Sequence, residues 1–231
     1  MMRYDWKIEK ENGLMLLIDK PKDYSSAKIV NIVKKRLNVK KAGHSGTLDP
    51  RATGLLIVCT DKMTKSLNEL LDCGKEYEGV MIIGEITGSF DGETEVTKKL
   101  PIDNITNEMI YNTAKEFMGE IEQLPPMYSA VKYKGKPLYK YARKNQLVER
   151  ITRKVLINKF EINKINLPEV HFTVGCSKGT YIRTLANDFG EKLGVGAYLK
   201  ELRRLKIGDY DVRNSVTLED FLLINPRIVN N

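Results

Sequence analysis

The chain has 231 residues, of which 42% are hydrophobic, and this length and composition suffice for a domain with its own core. The 38 lysine and arginine residues outnumber the 30 aspartate and glutamate residues, which gives a net charge of +8 and favours a polyanionic partner. The sequence lacks a signal-like N-terminus and an apolar run of about 18 residues, so we expect a cytoplasmic protein that does not bind membranes.

The cysteine and histidine content argues against metal and disulfide chemistry. Cys59, Cys73 and Cys176 are scattered and form no C-x-x-C pair, and His44 and His171 have no zinc-site spacing. Neither a P-loop nor a G-x-G-x-x-G motif is present. We therefore expect no metal and no cofactor, and any catalysis would use ordinary side chains.

The first third of the sequence predicts strands and helices in alternation. In chain order these are a strand over 14–18, a helix capped by Ser25 or Ser26, a glycine-punctuated loop over 43–54, a strand over 55–59 and a short helix around 65–71. The first helix is indicated by Ile29, Val33 and Leu37, which recur every four residues and so share one face. It ends in a basic run over residues 34–41.

The later elements are separated by turn residues rather than by regular crossovers. They are a strand over 76–83, a glycine-rich turn region over 84–92, a helix from Thr106 to near Gly119, a break at Pro125-Pro126, a half-buried strand over 170–176, a helix over 182–193 and a last helix over 218–223. Because no βαβ repeat is present, we predict an α+β fold with a mainly antiparallel sheet. We expect a single domain over residues 1–231.

The positive charge is concentrated in one window of the sequence. Residues 132–154 contain nine basic residues and one acid, which equals the whole net charge of the chain. Tyrosines are interleaved with the cations, as is common in proteins that bind looped or single-stranded nucleic acid. A solvated lysine-rich face with structural tyrosines is the alternative. The candidate RNA-binding residues are Lys132, Lys134, Lys136, Lys140 and Arg143.

The loop over residues 43–54 contains the first candidate site. Its glycines let backbone approach a ligand closely, and His44 and Asp49 are its side chains of catalytic type. An aspartate before a proline also commonly starts a turn, so a structural role stays open. A Ser-His-Asp triad is disfavoured, because the adjacent side chains of His44 and Ser45 do not face each other usefully.

A second candidate site lies where the half-buried strand passes into a helix. Lys178 precedes Gly179, and Tyr181 and Arg183 follow it. All three lie close to the predicted helix N-terminus, where the helix dipole favours an anion. These residues could equally be surface residues that flank an apolar face.

Several motifs, taken together, resemble one family. They are residues 43–50 (GHSGTLDP) with 52–54 (ATG), 75–77 (KEY), 126–132 (PMYSAVK), 177–183 (SKGTYIR) and 202–204 (LRR). In this order they closely resemble the TruB family of tRNA pseudouridine synthases. The resemblance extends over roughly residues 14 to 212, and several motifs in register are far more specific than any one of them.

The resemblance implies an isomerase without a cofactor that converts uridine 55 in the TΨC arm of tRNA to pseudouridine. It implies a pseudouridine synthase fold with a mixed, mostly antiparallel central sheet, and a thumb-like RNA-binding insertion at about residues 125–155. Asp49 matches the catalytic aspartate, Tyr77 the ring that stacks on the target base, and Arg183 the partner of the aspartate. The substrate-binding or supporting positions are His44, Lys20, Tyr181, Lys178 and Leu202.

The physical requirements of this chemistry agree with these residue types. A uridine stacked within an RNA loop must be extruded at a cost of a few kcal/mol, which stacking on a ring such as Tyr77 offsets. An ionised Asp49 could then act at C1′ as a nucleophile or assist elimination through a glycal, and the sequence does not distinguish the two.

Two rival interpretations stay open. A guide-dependent dyskerin-type synthase shares the signature over residues 43–50, and a catalytically idle RNA-binding or RNA-folding module could use the same cleft. Many members of the resembled family carry a C-terminal PUA-type RNA-binding domain, whereas this chain ends at Asn231. We expect that this chain has no such domain, as either a naturally short form or a truncated one, and that its affinity for tRNA therefore depends more heavily on the thumb-like window. We also expect a monomer that acts on tRNA without a guide RNA.

Overall fold

The structure is a computed structural model that describes residues 7–9, 12–144, 146–223 and 227–229. The chain divides into two compact units. The first unit comprises residues 1–77 and 203–231, and the second comprises residues 78–202. The prediction of one catalytic domain over residues 1–231 stays a prediction.

The elements are numbered in chain order. The strands are β1 (Lys7–Glu9), β2 (Met15–Lys20), β3 (Ala42–His44), β4 (Thr53–Thr60), β5 (Lys75–Ile83), β6 (Glu85–Thr87), β7 (Val96–Lys99), β8 (Gly119–Gln123), β9 (Lys132–Tyr133), β10 (Lys136–Pro137), β11 (Arg153–Asn166), β12 (Glu169–Cys176), β13 (Ala197–Ile207), β14 (Tyr210–Asp211), β15 (Val216–Thr217) and β16 (Arg227–Val229). The helices are α1 (Ser26–Leu37), α2 (Leu67–Asp72), α3 (Asn107–Glu116), α4 (Leu138–Ala142), α5 (Ile182–Lys192) and α6 (Leu218–Leu223). Short 3-10 helices occupy Asp61–Ser66 and Val212–Asn214.

The first unit is built on a mixed sheet in the order β15, β2, β4, β13, in which β3 also pairs with β4. Strands β2 and β4 are antiparallel, whereas β13 runs parallel to β4 and β15 parallel to β2. Helix α1 covers one face of this sheet, and its buried residues Ile29, Val33 and Leu37 belong to the same core cluster as β2 and β4. The four-residue spacing therefore predicted the packed face of α1 correctly.

Helix α1 begins and ends where its capping residues indicate. The Oγ of Ser25 accepts a hydrogen bond from the backbone N–H of Lys28 at 3.1 Å. At the other end, Asn38 adopts a left-handed conformation with φ of 50°, which stops the helix at Leu37. The predicted basic run over residues 34–41 therefore includes the last turn of the helix and the segment after it.

The second unit contains a sheet in the order β5, β12, β11, β8. Strand β11 runs antiparallel to both β12 and β8. Aromatic rings fill the space between this sheet and the helices: Phe117 stacks on Phe189 at 6.0 Å, and Phe160 meets Phe172 edge to face at 5.7 Å. The predicted strand over 170–176 and the helices at Thr106 and 182–193 are confirmed by β12, α3 and α5.

Some of the predicted elements were wrong in extent or were missed. The segment over 43–54 is not all loop, because β3 ends at His44 and β4 begins at Thr53, and the turn region over 84–92 contains β6. Strand β11 was not predicted, because bulges between Ile157 and Lys159 and between Ile162 and Lys164 interrupt its two-residue period. Strand β7 was missed because all four of its residues are exposed and carry no apolar alternation.

The predicted α+β class, with mixed and mostly antiparallel pairing and flanking helices, is confirmed. Cys59, Cys73 and Cys176 form no disulfide bond with one another, and burial raises the pKa of Cys59 to about 11. None of the helices in the described ranges has the length and apolar character needed to cross a membrane.

Candidate active site

The loop that carries Asp49 is fixed to the first unit by backbone and hydroxyl hydrogen bonds. Directly after β3, the N–H of Ser45 donates to the carbonyl of Ile57 at 3.0 Å. Three residues on, the Oγ of Ser26 donates to the carbonyl of Leu48 at 3.0 Å and accepts from its N–H at 2.9 Å. The first turn of α1 therefore holds the backbone next to Asp49, whose side chain is half-buried.

Lys20, Gly54 and Arg204 are aligned across three neighbouring strands. In the register, Gly54 of β4 lies opposite Lys20 of β2 on one side and Arg204 of β13 on the other. Residues in register share a face of the sheet. Gly54 has φ of 97°, and a Cβ at this position would lie 2.3 Å from the carbonyl oxygen of Arg204, so only glycine permits this approach. Two cations therefore flank a strand position that has no side chain.

Lys20 binds one end of the Asp49 loop. Its side chain is completely buried, and its Nζ donates to the carbonyl oxygens of Pro50 at 3.1 Å, Pro21 at 2.9 Å and Tyr24 at 2.7 Å. Burial lowers the pKa of Lys20 to about 8, and the negative charges of Asp23 and Asp49 oppose this shift. The ammonium group of Lys20 thus links the end of β2 to the residue after Asp49.

Arg204 binds the other end of the loop. Its side chain is only 1% exposed, its Nε donates to the carbonyl of Leu55 at 2.7 Å, and its Nη2 donates to the carbonyl of Gly46 at 3.1 Å. The sequence analysis placed Arg204 in a matching motif but assigned it no role. Together with Lys20, it fixes the backbone on both sides of Asp49 through charged hydrogen bonds, which are stronger than neutral ones.

His44 is held neutral at the start of this loop. Burial and then the positive charge of Arg204 lower the pKa of His44, so the uncharged imidazole predominates at pH 7. The N–H of Gly46 donates to Nδ1 at 3.3 Å, which assigns the imidazole proton to Nε2. His44 therefore presents a hydrogen-bond donor rather than a positive charge.

We expect Lys20 to titrate near pH 8, far below the exposed lysines. Since the pKa of Lys20 in the folded protein is below the ordinary lysine value of 10.5, the unfolded chain binds more protons between pH 8 and 10.5. The buried ammonium therefore destabilises the fold below pH 8, and this destabilisation disappears as the pH rises from 8 to 10.5. The measurement is a pH titration of 13Cε lysine NMR signals, with the signal of Lys20 assigned from its loss in Lys20→Met. Titration of that signal together with the bulk near 10.5 would contradict the burial argument.

Two further residues of the first unit, Tyr77 and Arg203, belong to the motifs that carry the family resemblance. Tyr77, the predicted stacking ring, is in β5 and is 8% exposed. Arg203 forms a bidentate ion pair with Asp19 at 2.9 and 2.6 Å, which adds a side-chain link between β13 and β2. The structure thus places Lys20, His44, Asp49 and Tyr77 in the same unit.

Arg183 of the second unit has an acidic partner that the sequence analysis missed. Its Nη1 lies 3.3 Å from Oδ2 of Asp91, and its Nη2 donates to the carbonyl of Tyr128 at 2.5 Å. Both Arg183 and Asp91 are buried. The expected pairing of Arg183 with Asp49 stays a prediction.

Asp91 is oriented by the turn that contains it. Its Oδ1 accepts from the hydroxyl of Ser89 at 2.6 Å and from the N–H of Glu93 at 2.9 Å, and its backbone carbonyl accepts from the hydroxyl of Thr87. Its other oxygen is left for Arg183. An aspartate in a turn region has no local signal for this role, because the arginine is 92 residues away.

Gln123 was also missed and positions Tyr181. Its buried amide donates to the carbonyl of Tyr181 at 3.1 Å and accepts from the N–H of the same residue at 2.9 Å. Tyr181 is the residue before α5, and the guanidinium of Arg183 lies 6.0 Å from the centre of its ring. The second unit therefore places Tyr181 and Arg183 side by side, whereas Lys178 is exposed and Leu202 is half-buried, and the substrate-binding role of all four stays a prediction.

The predicted thumb-like window forms a small hairpin followed by a helix. Strand β9 pairs with β10, and α4 follows directly. The five cations predicted to bind RNA are all exposed: Lys132, Lys134, Lys136, Lys140 and Arg143. Their positions are compatible with phosphate contacts.

The tyrosines of this window have structural contacts. Tyr133 and Tyr141 meet edge to face at 5.9 Å, and the hydroxyl of Tyr141 donates to the carbonyl of Tyr133 at 3.3 Å. Arg143 lies over the ring of Tyr139 at 5.5 Å. These rings therefore support the hairpin on which the cations lie. The contacts agree with the alternative interpretation in one respect, namely that the tyrosines of this window are structural.

A metal site is not indicated by the described part of the chain, which contains no group of three or more His, Cys, Asp or Glu side chains placed to hold an ion. The candidate site residues described above supply a carboxylate, buried cations, a neutral imidazole and aromatic rings.

The chain is similar in structure to chains of two solved complexes. A chain of the crystal structure of a Cbf5-Nop10-Gar1 complex superposes with a TM-score of 0.71 and 33% identity, covering 92% of this chain and 54% of that chain. A chain of an H/ACA RNP bound to a substrate RNA containing 2′-deoxyuridine gives 0.68 and 30%, covering 96% and 59%. This chain thus spans less than two thirds of the length of these solved chains.

Comparison by sequence gives a more specific result. A family model of the TruB family pseudouridylate synthase N-terminal domain matches residues 34–182, and one of the tRNA pseudouridylate synthase B C-terminal domain matches residues 183–225. The tRNA pseudouridine synthase B of Flavobacterium johnsoniae is 49% identical and covers 90% of this chain and 94% of its own length. That of Clostridium tetani is 47% identical, with coverage of 90% and 72%.

The chain therefore has a pseudouridine synthase fold, as the family resemblance implied. Within that class, the chain belongs to the TruB family.

Proposed function

We propose that this chain is a tRNA pseudouridine synthase that converts uridine 55 in the TΨC loop of tRNA to pseudouridine. The proposal is supported by membership of the TruB family and by relatives named tRNA pseudouridine synthase B at 43–49% identity. The observation that carries it is the fixed loop around Asp49. Lys20 and Arg204 bind its two ends, and Ser26 holds the residue before the carboxylate.

Substrate binding requires the target nucleotide to leave the RNA stack. The energy of extrusion, a few kcal/mol, is offset when the flipped base stacks on an aromatic ring, and Tyr77 has this role in our proposal. The neutral imidazole of His44 and the ring of Tyr181 support the flipped nucleotide. Lys178 and Leu202 complete the assigned pocket residues, all carried over from the family resemblance.

The reaction breaks one bond, forms another and needs no oxidant or reductant. The C1′–N1 bond of uridine breaks with the assistance of the Asp49 carboxylate, either by attack at C1′ or by elimination through a glycal. The freed uracil turns, and its C5 forms a bond to C1′. C5 then loses a proton and N1 gains one, so that substrate and product are isomers.

The fixed loop contributes to this chemistry through preorganisation. A carboxylate that is already oriented has little reorganisation to undergo in the transition state, and small displacements of reacting groups reduce rates strongly. In the proposal, Arg183 pairs with Asp49, a role taken from the family resemblance. Asp91 keeps Arg183 oriented through its ion pair in the second unit.

A second candidate function is a synthase that uses a guide RNA. It is favoured by the likeness to chains of a Cbf5-Nop10-Gar1 complex and an H/ACA RNP. The curated relatives support the guide-independent alternative, because they are more similar and this chain covers 94% of the Flavobacterium protein.

The experiment is to incubate the protein with an unmodified tRNA transcript and to map pseudouridine by a site-resolved chemical method. We expect conversion of uridine 55 without any other RNA or protein. A transcript with cytidine at position 55 is the matched control and should remain unmodified. Conversion at other positions alone, or no conversion until a guide RNA is added, would overturn the proposal.

Replacing Lys132, Lys134, Lys136 and Lys140 by Ala should weaken tRNA binding and reduce its salt dependence. Each exposed cation that contacts a phosphate contributes roughly 0.7 to 0.9 units to the slope of log K against log salt, so the slope should fall by about 3 units. The turnover number at saturating tRNA should change much less, because none of these lysines is assigned to the chemical step. Binding titrations at several salt concentrations test this, and an unchanged slope would show that the hairpin does not contact phosphates.

A further inference from the structure

A second basic surface lies on the first unit, outside the thumb-like window. Between Asp23 and Asp49 the sequence has no acidic residue, and five cations are clustered at the end of α1 and directly after it. All five are exposed: Lys34, Lys35, Arg36, Lys40 and Lys41. We call these residues the α1 basic surface.

The neighbouring 3-10 helix extends this surface. The N–H of Asp61 donates to the carbonyl of Lys41 at 2.9 Å, and the N–H of Lys41 donates to Oδ1 of Asp61 at 3.2 Å. These bonds place the start of the 3-10 helix beside Lys41. The second of these bonds engages the carboxylate of Asp61. The next residue, Lys62, is exposed.

Helix stabilisation explains only part of this charge. Cations in the last turn of a helix interact favourably with its dipole, which accounts for Lys34, Lys35 and Arg36. Lys40 and Lys41 follow the left-handed Asn38 that ends the helix, so the dipole gives no reason for them. Arg36 is anchored by a hydrogen bond to the carbonyl of Leu222 at 2.9 Å.

The lysines of this surface are not neutralised by acids in the described part of the chain. There, Lys34, Lys35, Lys40 and Lys41 form no salt bridge, in contrast to Lys154, which pairs with Glu120. Like charges this close repel one another unless an anion lies between them. The arrangement therefore favours an anionic ligand.

The surroundings favour a phosphate backbone over a protein partner. No large apolar side chain over residues 24–48 is exposed, and Ile32 and Val39 pack against the core. Leu222, whose carbonyl binds Arg36, and Leu223 are exposed at the end of α6, beside the basic residues rather than among them. Protein interfaces usually have an apolar centre, whereas contacts to nucleic-acid backbones are made by Lys and Arg. The α1 basic surface has the composition of a contact to a nucleic-acid backbone.

The position of this surface along α1 relates it to the Asp49 loop. Ser26, in the first turn of α1, contacts Leu48 beside Asp49, and Lys35 lies nine residues further along the helix. At 1.5 Å per residue this separation is about 14 Å along the helix axis. An RNA whose target nucleotide lies at Asp49 therefore has phosphates within reach of this end of α1.

We propose that the α1 basic surface binds the phosphate backbone of the substrate RNA, as a second electrostatic contact that is independent of the thumb-like hairpin. The distance argument depends on the proposed function, because it places the target uridine at Asp49. The charge and composition of the surface do not depend on it.

The test compares two variants that lose the same charge. The first replaces Lys34, Lys35, Lys40 and Lys41 by Gln, and the control replaces Lys98, Lys115, Lys164 and Lys192, four exposed lysines of the second unit, by Gln. All eight lysines are exposed, so replacement by the polar, uncharged glutamine should leave both variants folded, which circular dichroism and Tm verify. Binding of full-length tRNA is measured at several salt concentrations, and single-turnover pseudouridine formation is measured at saturating tRNA.

For the α1 variant we expect the Kd for tRNA to rise at least about tenfold at 0.15 M salt and the slope against log salt to fall by roughly 3 units. In the control variant, the changes in Kd and in slope should each be less than half of those in the α1 variant. The single-turnover rate of both variants should stay within about threefold of wild type.

An unchanged slope in the α1 variant, or an equal change in the control, would overturn the proposal. The same holds if wild type binds vesicles containing phosphatidylserine through these lysines while tRNA binding does not depend on them. Failure of the proposed function would look different, because wild-type protein itself would then form no pseudouridine, whatever the salt dependence of its binding.

Discussion

Asp49→Asn should reduce pseudouridine formation by on the order of 10³-fold or more, with tRNA binding retained within about threefold. The amide keeps the shape of the side chain but removes the negative charge that acts at C1′ in both possible routes. The backbone bonds that fix the loop are made by Lys20, Ser26 and Arg204, so its conformation should persist. Single-turnover assays with saturating tRNA, together with a binding titration, measure the two effects separately.

The matched control for this variant is Asp23→Asn. Like Asp49, Asp23 acts on the ammonium of Lys20, and its N–H donates to the carbonyl of Pro50 at 2.8 Å. Its φ of 65° is well tolerated by asparagine, so the substitution should be accommodated. We expect nearly normal activity. Equal losses in the two variants would mean that the general charge around Lys20, and not the carboxylate of Asp49, limits the reaction.

Asp91→Asn should lower the single-turnover rate by up to about 100-fold, because a displacement of about 1 Å in a functional side chain can cost about this factor. The neutral amide can keep the bonds from Ser89 and Glu93 but cannot neutralise the buried guanidinium of Arg183. The change should appear in the rate at saturating tRNA more than in the apparent KM. Asp91→Glu, which keeps the charge, should restore part of the rate.

Asp188→Asn is the control for the second prediction. Asp188 is on the same helix as Arg183, and burial raises its pKa to about 6. Its loss removes a carboxylate from α5 without touching the contact between Asp91 and Arg183. We expect little change in rate. If Asp91→Asn behaves like this control, Asp91 has a structural role only.

Local patterns predicted the elements whose signals lie within one stretch of sequence. The cap at Ser25, the apolar face of α1 and the alternation of β12 depend on neighbouring residues, and each is confirmed. Strand β3 escaped prediction because three residues that include a glycine carry no periodicity, and its pairing with β4 is decided by tertiary contacts.

For the candidate site, the sequence motifs predicted some of the residues and missed others. Motifs identified the loop with His44 and Asp49, and the structure places the loop between buried cations. Asp91 and Gln123 could not be found in this way. Their partners lie 92 and 58 residues away, and a turn aspartate or a glutamine at the end of a strand is common in any sequence. Only the folded chain shows that Arg183 and Tyr181 depend on them.

The central claim, that this chain converts one uridine of the T loop on its own, is tested most directly with a short T-arm stem-loop. The hairpin is incubated with the purified protein, without guide RNA or other protein, and pseudouridine is mapped at single-nucleotide resolution. We expect conversion at the uridine that corresponds to position 55, and none in a hairpin with cytidine there. Absence of conversion on the hairpin and on full tRNA, with activity only when a guide RNA is supplied, would contradict it.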